Sequence, residues 1–269
     1  MSDIETITDF TYKGNRVILK TSKLDAYLHF LRIQTSGDDR WGAMHTREEW
    51  KKFVNWQCEE KSLHSLPIVP VVQAFSAIPP PYSNLKNMKK IIDVGSGLAQ
   101  IDLVLSQFLP EIDFYLVDKN RIEHDPENFV YFHQPLDNKS SHGFYNSFDV
   151  IKDVIANSPV NPERIHFLHP ENEWPNNVDV VMSYYSWNWH YHKSVYWDKL
   201  MQSLKLGGYF STTLTLRKGE TTVDEISQDL GSYPCYYQSI QVPANSPDRR
   251  LKGFDDIVHT GYYTWQRLK

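Results

Sequence analysis

The feature that most constrains this chain is a short apolar run that breaks into glycines and then into an amphipathic stretch. Lys90-Ile91-Ile92-Asp93-Val94 has the composition of a buried strand, Gly95-Ser96-Gly97 follows at once, and an apolar helical pattern runs from Ala99 to Leu109. Gly95 permits a tight turn, and Gly97 carries no side chain, so backbone N–H groups at the head of the helix can approach a ligand. Ala99 stands at the third glycine position and still allows close helix–strand packing. Asp118 closes the next apolar strand, Phe114-Tyr115-Leu116-Val117, 21 residues after Gly97. That is the distance expected of an acid that binds ribose hydroxyls.

The rest of the chain repeats this rhythm. Strands are expected at 164–168, 178–182, 209–216, 235–242 and 260–267, with helices at 145–157, 194–206 and 223–230. Alternation of this kind means a mostly parallel sheet of seven strands with helices on both faces, its last two strands forming a hairpin at one edge. Residues 121–144 are polar and irregular, long enough to mark a functional loop. Residues 1–15 read as an arm or a first strand. From Ser22 to about Leu66 the apolar spacing is helical, with a capping box at Thr46 and Glu49. The proline run around Pro79-Pro80-Pro81 breaks the pattern. These signals divide the chain into an N-terminal helical cap, 1–85, and a Rossmann-like α/β domain, 86–269. The cap is expected to cover the carboxyl edge of the sheet.

Composition narrows the partners. The net charge is -5, which disfavours a phosphate-tracking surface. Cys58 and Cys235 fit neither a disulfide framework nor a zinc motif, no apolar run is long enough for a membrane helix, and the acidic, polar start is unlike a secretory signal; a cytoplasmic protein is expected. His166-x-x-His169 and His190-x-His192 match no established metal spacing, so no metal is expected.

Asp93-x-Gly95-x-Gly97 after a strand, Asp118 ending the next strand, and Leu204-Lys205-Leu206-Gly207-Gly208-Tyr209-Phe210 before a late strand together resemble the motifs of class I S-adenosylmethionine-dependent methyltransferases. The resemblance covers about residues 88–269, with Ala99 in place of a glycine and Leu206 in place of a proline. It implies that S-adenosylmethionine is the cofactor. The glycine loop (Asp93, Gly95, Ser96, Gly97) would hold its methionine end, Asp118 with Lys119 its ribose, and His169 its adenine. The acid usual after the third strand is missing. An NAD-dependent oxidoreductase is the competing dinucleotide reading, but Gln100 stands where its last glycine belongs.

A second stretch, Ser183-Tyr184-Tyr185-Ser186-Trp187-Asn188-Trp189-His190-Tyr191-His192, follows the fourth strand at the carboxyl edge, where open α/β sheets bind ligands. It resembles a pattern in methyltransferases described as acting on sugar hydroxyls, as does Phe144-Tyr145-Asn146-Ser147. An alcohol needs a base, which a histidine supplies near neutral pH, and aromatic rings stabilise a sulfonium. His190, then His192, are therefore the catalytic candidates. Trp187, Trp189, Tyr191, Tyr145 and Asn146 are the substrate-side candidates, the rings alternatively being plain packing. The expected activity is methyl transfer to a small-molecule acceptor, an oxygen nucleophile such as a sugar or glycoside hydroxyl. The alternatives are a nucleic-acid methyltransferase and a catalytically inactive nucleoside-binding regulator. A homodimer stays open.

Overall fold

The structure is a computed structural model that describes residues 3–12, 15–35, 88–120, 123–124, 143–144, 146–184, 186–187, 193–217, 222–239 and 257–269. Its centre is a seven-stranded sheet. The strands are β3 (Lys90–Val94), β4 (Asp113–Val117), β7 (Ile165–Leu168), β8 (Val178–Ser183), β9 (Leu204–Arg217), β10 (Tyr236–Ser239) and β11 (Ile257–Gln266). Their order across the sheet is β10-β11-β9-β8-β3-β4-β7. The five strands from β9 to β7 are mutually parallel, and β11 and β10 complete the sheet antiparallel. Chain order runs outward from β3 through β4 to β7, then returns to the other side of β3 with β8. The switch point therefore lies between the carboxyl ends of β3 and β8, where such sheets form their ligand crevice. A two-stranded ribbon, β5 (Glu123–His124) with β6 (Gly143–Phe144), lies within the expected loop region.

Strands buried on both faces need apolar residues on both, and β8 is buried at all six positions, as are Ile91 to Val94 in β3. Two clusters result. One joins Ile91, Phe114 and Val180 to helices α2 (Gln100–Phe108) and α3 (Phe148–Asn157). The other packs Trp174, Trp187, Trp265 and Phe210 with α4 (Trp197–Ser203) and α5 (Val223–Leu230). Thr222 and Glu225 close a capping box at the start of α5.

The N-terminal segment has its expected first strand and, from Leu24, its expected helix, with a second strand between them that the sequence did not signal. It opens with a hairpin, β1 (Glu5–Tyr12) and β2 (Asn15–Thr21), and only then forms helix α1 (Leu24–Thr35). Residues 36–87, with the expected Thr46 capping box, lie outside the described residues. Val17 and Leu19 are buried in the same cluster as Val154 and Ile155, so the hairpin is a third layer over α2 and α3. Polar contacts fix it there. Lys20 N donates to Ser158 Oγ (2.8 Å), Ser22 N to Asp153 Oδ2 (2.7 Å), and Thr21 Oγ1 to Asp153 as well. Among its described residues, α1 reaches toward the glycine turn, where Gln100 Nε2 donates to Tyr27 Oη.

The second departure is at Gly207-Gly208. The expected helix 194–206 ends at Ser203, and β9 starts at Leu204. The two glycines sit in an irregularity, where pairing with β8 jumps from Leu204 to Tyr209. A Cβ on Gly208 would lie 2.8 Å from Leu204 Cδ1 and 3.0 Å from Asp179 O, so this turn admits no side chain there.

Candidate functional site

The glycine turn is held between two strands. Gly95 N donates to Val117 O (2.8 Å), and Asp118 N donates to Leu168 O (3.0 Å), so the carboxyl ends of β3, β4 and β7 are locked together. Gly95, Gly97 and Ala99 all take left-handed backbone conformations (φ +77°, +55° and +53°). For Ala99 this is unusual, since only glycine adopts it without steric cost. Asp118 closes the turn from below: its Oδ2 accepts from Gly97 N (2.7 Å) and its Oδ1 from Lys119 N (2.7 Å). The two sequence signals, glycine loop and strand-end acid, are therefore in direct contact.

The segment after β8 lies against the same turn. Ser183 Oγ donates to Val94 O (2.8 Å) and accepts from Trp187 N (3.0 Å). This places Ser186 over Gly95, where a Cβ added to the glycine would meet Ser186 Oγ at 1.8 Å. Gly95 is thus required by what crosses it as well as by its turn. Ser183, which heads the stretch quoted from the sequence but was given no role there, is the residue that ties the crossing segment to β3.

Trp187 has the packing that the sequence left as its alternative. Its indole is fully buried, packs on Tyr196, Trp197 and Phe210, and donates from Nε1 to Lys193 O (3.2 Å). Among the described residues it packs as a core ring. Trp189, His190, Tyr191, His192 and Tyr145 lie outside the described residues. His169 follows β7 directly beside Asp118, half-exposed, with its Nδ1 3.4 Å from Glu171 N. Asn146, one of the substrate-side candidates, lies beside Asp118. It is fully buried just before α3, and its carboxamide acts on Asp118 to favour the anion, yet neither of its polar atoms closes a hydrogen bond among the described residues.

The electrostatics single out a residue that sequence reasoning missed. Asp102, in the first turn of α2, has no solvent exposure and neither carboxyl oxygen finds a donor among the described residues; Asp93 beside it is 4% exposed with Oδ1 likewise unsatisfied. Burial pushes Asp93 up to about 7, with Asp102 beside it lowering that value and the charge of Asp118 raising it. Burial also drives Asp102 well above the ordinary carboxyl range, and the neighbouring Asp93 adds to this. Burial raises Asp118 to about 7 against the hydrogen bonds from Gly97 and Lys119. The N–H groups of the first helical turn favour an anion at Asp102 by up to about 2 kcal/mol, less than the several kcal/mol cost of burying an unpaired carboxylate. The available signal was an aspartate inside the apolar stretch Ile101-Asp102-Leu103-Val104-Leu105, on the helical face of Leu98 and Leu105.

Chemically, this edge offers a backbone cradle, three clustered buried acids, an orphaned carboxamide and the orphaned Ser96 hydroxyl. Among the described residues no group of three histidine, cysteine or acidic side chains has the geometry to hold a metal, and no helix is long and apolar enough to cross a membrane.

No protein-family model matches the chain, and no curated protein matches it in sequence. Solved structures superpose only loosely. A chain described as StiE O-MT residues 961-1257 aligns at 10% identity over 78% of each chain with a TM-score of 0.47. The Burkholderia thailandensis 1,6-didemethyltoxoflavin-N1-methyltransferase, crystallised with S-adenosylhomocysteine, aligns at 13% identity over 96% of this chain and 99% of its own, with a TM-score of 0.42. A SAM dependent methyltransferase from Aquifex aeolicus aligns at 11% over 78% and 94%, also at 0.42. Likeness this distant assigns neither reaction nor ligand, so function rests on the residues of the chain itself.

Proposed function

We propose that the chain is an S-adenosylmethionine-dependent methyltransferase with a small-molecule acceptor, an oxygen nucleophile such as a sugar hydroxyl being favoured. The observation that carries the reading is the contact between Gly97 N and Asp118 Oδ2 at the switch point of the sheet. The glycine loop would take the methionine end, with Asp93 facing its ammonium. Asp118 would take the ribose hydroxyls, and His169 and Asn146 the side toward adenine. Orphaned groups at Ser96, Asp93 and Asn146 fit a ligand rich in donors and acceptors. The charge supports the same reading: buried acids clustered around the loop suit a cationic ligand and would repel the pyrophosphate of a nicotinamide dinucleotide.

Bound there, S-adenosylmethionine supplies an activated methyl group on a positively charged sulfur. The protein's own part is to hold the acceptor in line, exclude water and take the hydroxyl proton. His190 is the base in this proposal. It follows by three residues Trp187, which Ser183 holds at the glycine turn. His190→Gln is expected to lower turnover by about two to four orders of magnitude with cofactor affinity nearly unchanged.

Calorimetry on the purified chain tests the binding claim. The expected affinity is micromolar, roughly -8 kcal/mol, and Asp118→Ala is expected to weaken it by about 1–3 kcal/mol. Tight NADH binding without any response to S-adenosylmethionine would overturn the assignment.

A further inference from the structure

We infer that Asp102 is a neutral carboxylic acid whose proton is donated to Asp93, making it the positioning residue for the carboxylate at the head of the glycine turn. This rests on the methyltransferase reading and goes beyond it, to a side chain that touches no ligand.

The geometry carries the inference. Asp93 is the penultimate residue of β3 and Asp102 lies in the first turn of α2, the two elements that the glycine loop joins. Both are buried, and among the described residues no lysine, arginine or histidine pairs with either. If both were ionised, Asp102 would have no partner for either oxygen and Asp93 none for Oδ1, with two like charges side by side. Two carboxyls so placed cannot both be charged, and a single proton between them gives the acceptor its donor. Asp102 keeps that proton because it is the more deeply enclosed, with no exposed surface against 4% for Asp93. Among the described residues the other charged group facing the pair is Asp118, at the end of β4, which in turn has Lys119 beside it. Held this way, Asp93 presents a fixed carboxylate to the ammonium of the cofactor, and the pair avoids a second buried charge.

The test compares three full-length proteins in calorimetric titrations with S-adenosylhomocysteine at pH 8, with thermal melts run alongside. Asp102→Asn keeps a donor and no charge, so it is expected to bind within about threefold of the wild type. Asp102→Leu keeps the volume and removes the donor. It is expected to lose at least tenfold in affinity while melting no lower, since an unsatisfied buried polar group is gone. A merely structural Asp102 would show no rescue by asparagine. If Asp102→Asn loses as much as Asp102→Leu, or if Asp102→Leu binds normally, the inference fails. Should Asp102→Leu not fold, Asp102→Asn decides alone: binding within threefold supports a neutral acid, and any greater loss overturns it. A wild type that binds no S-adenosylhomocysteine sinks the methyltransferase reading itself, an outcome distinct from any failure of the variants.

Discussion

The two edges of the sheet bury acids equally well and treat them oppositely. At the amino edge Asp179 is 3% exposed, and both its oxygens are partnered. Oδ2 accepts from Lys89 N (2.7 Å) and Lys90 N (2.9 Å), and Oδ1 pairs with Lys205. At the carboxyl edge Asp93 is 4% exposed and Asp102 not at all, and both have oxygens without a donor among the described residues. Asp179 arrives with all its donors; Asp93 and Asp102 do not, and Asp118 at their edge stands between, each oxygen already accepting one backbone N–H and keeping only its remaining lone pairs for a ligand. Burial by itself separates nothing here. Satisfaction does.

Substituting one acid from each edge should break or confirm this contrast. Asp179→Ala would strand two backbone N–H groups and the Lys205 ammonium, a loss of about 2–4 kcal/mol. In a chain of this size that is a fall in Tm of roughly 5–10 °C, with cofactor affinity changed less than about twofold. Asp93→Ala should do the reverse: severe loss of affinity in calorimetry and a Tm equal to or above the wild type. Equal Tm losses at both positions would erase the distinction.

How much of this was legible in the sequence follows from the range of the interactions involved. The glycine turn, Asp118 and the seven strands were readable because each is encoded within a few residues: an apolar run, a breaker, an acid at the strand's end. The hairpin of β1 and β2 was not, because Val17 and Leu19 are buried by α2 and α3, more than eighty residues away along the chain. Trp187 looked like a ligand residue because it stands in an aromatic run at the right edge; its enclosure by Tyr196, Trp197 and Phe210 depends on how α4 returns to the sheet. Asp102 escaped notice because a lone acid in an apolar helix is legible as an oddity, but its partner on β3 is not.

A smaller effect separates the edges by pH. Asp93 and Asp118 have folded-state values raised to about 7 from 3.8, so the native state holds protons that the unfolded chain has released between these limits. Their contribution makes the ligand-free protein less stable as pH rises from about 4 to 7, levelling above that. Melting at pH 6 should therefore exceed melting at pH 8, and saturating S-adenosylhomocysteine should shrink the gap. Asp153 behaves oppositely. Burial raises it, but hydrogen bonds from Ser22 and Thr21 outweigh this and leave it lowered, so its stabilisation is present above the ordinary carboxylate range and is lost as pH falls below it. Asp153→Ala should loosen the hairpin by about 1–2 kcal/mol at pH 7, and by less as pH falls through its lowered folded-state value, read by thermal melts. The smallest effect belongs to Asn177, exposed at the amino edge with φ +56°. Asn177→Gly should change stability by only a few tenths of a kcal/mol, since asparagine tolerates this conformation.

The most direct test of the central claim, that the acids of the carboxyl edge are poised for a cationic nucleoside ligand, is the affinity for S-adenosylmethionine measured by calorimetry between pH 6 and 8.5. An ammonium favours ionised Asp93, and ribose hydroxyls favour ionised Asp118, so binding must release protons wherever those acids are still protonated. The account predicts an affinity that rises with pH through about 7 and levels above it, with a slope that Asp118→Asn reduces. An affinity that is flat or falls across that range would contradict it.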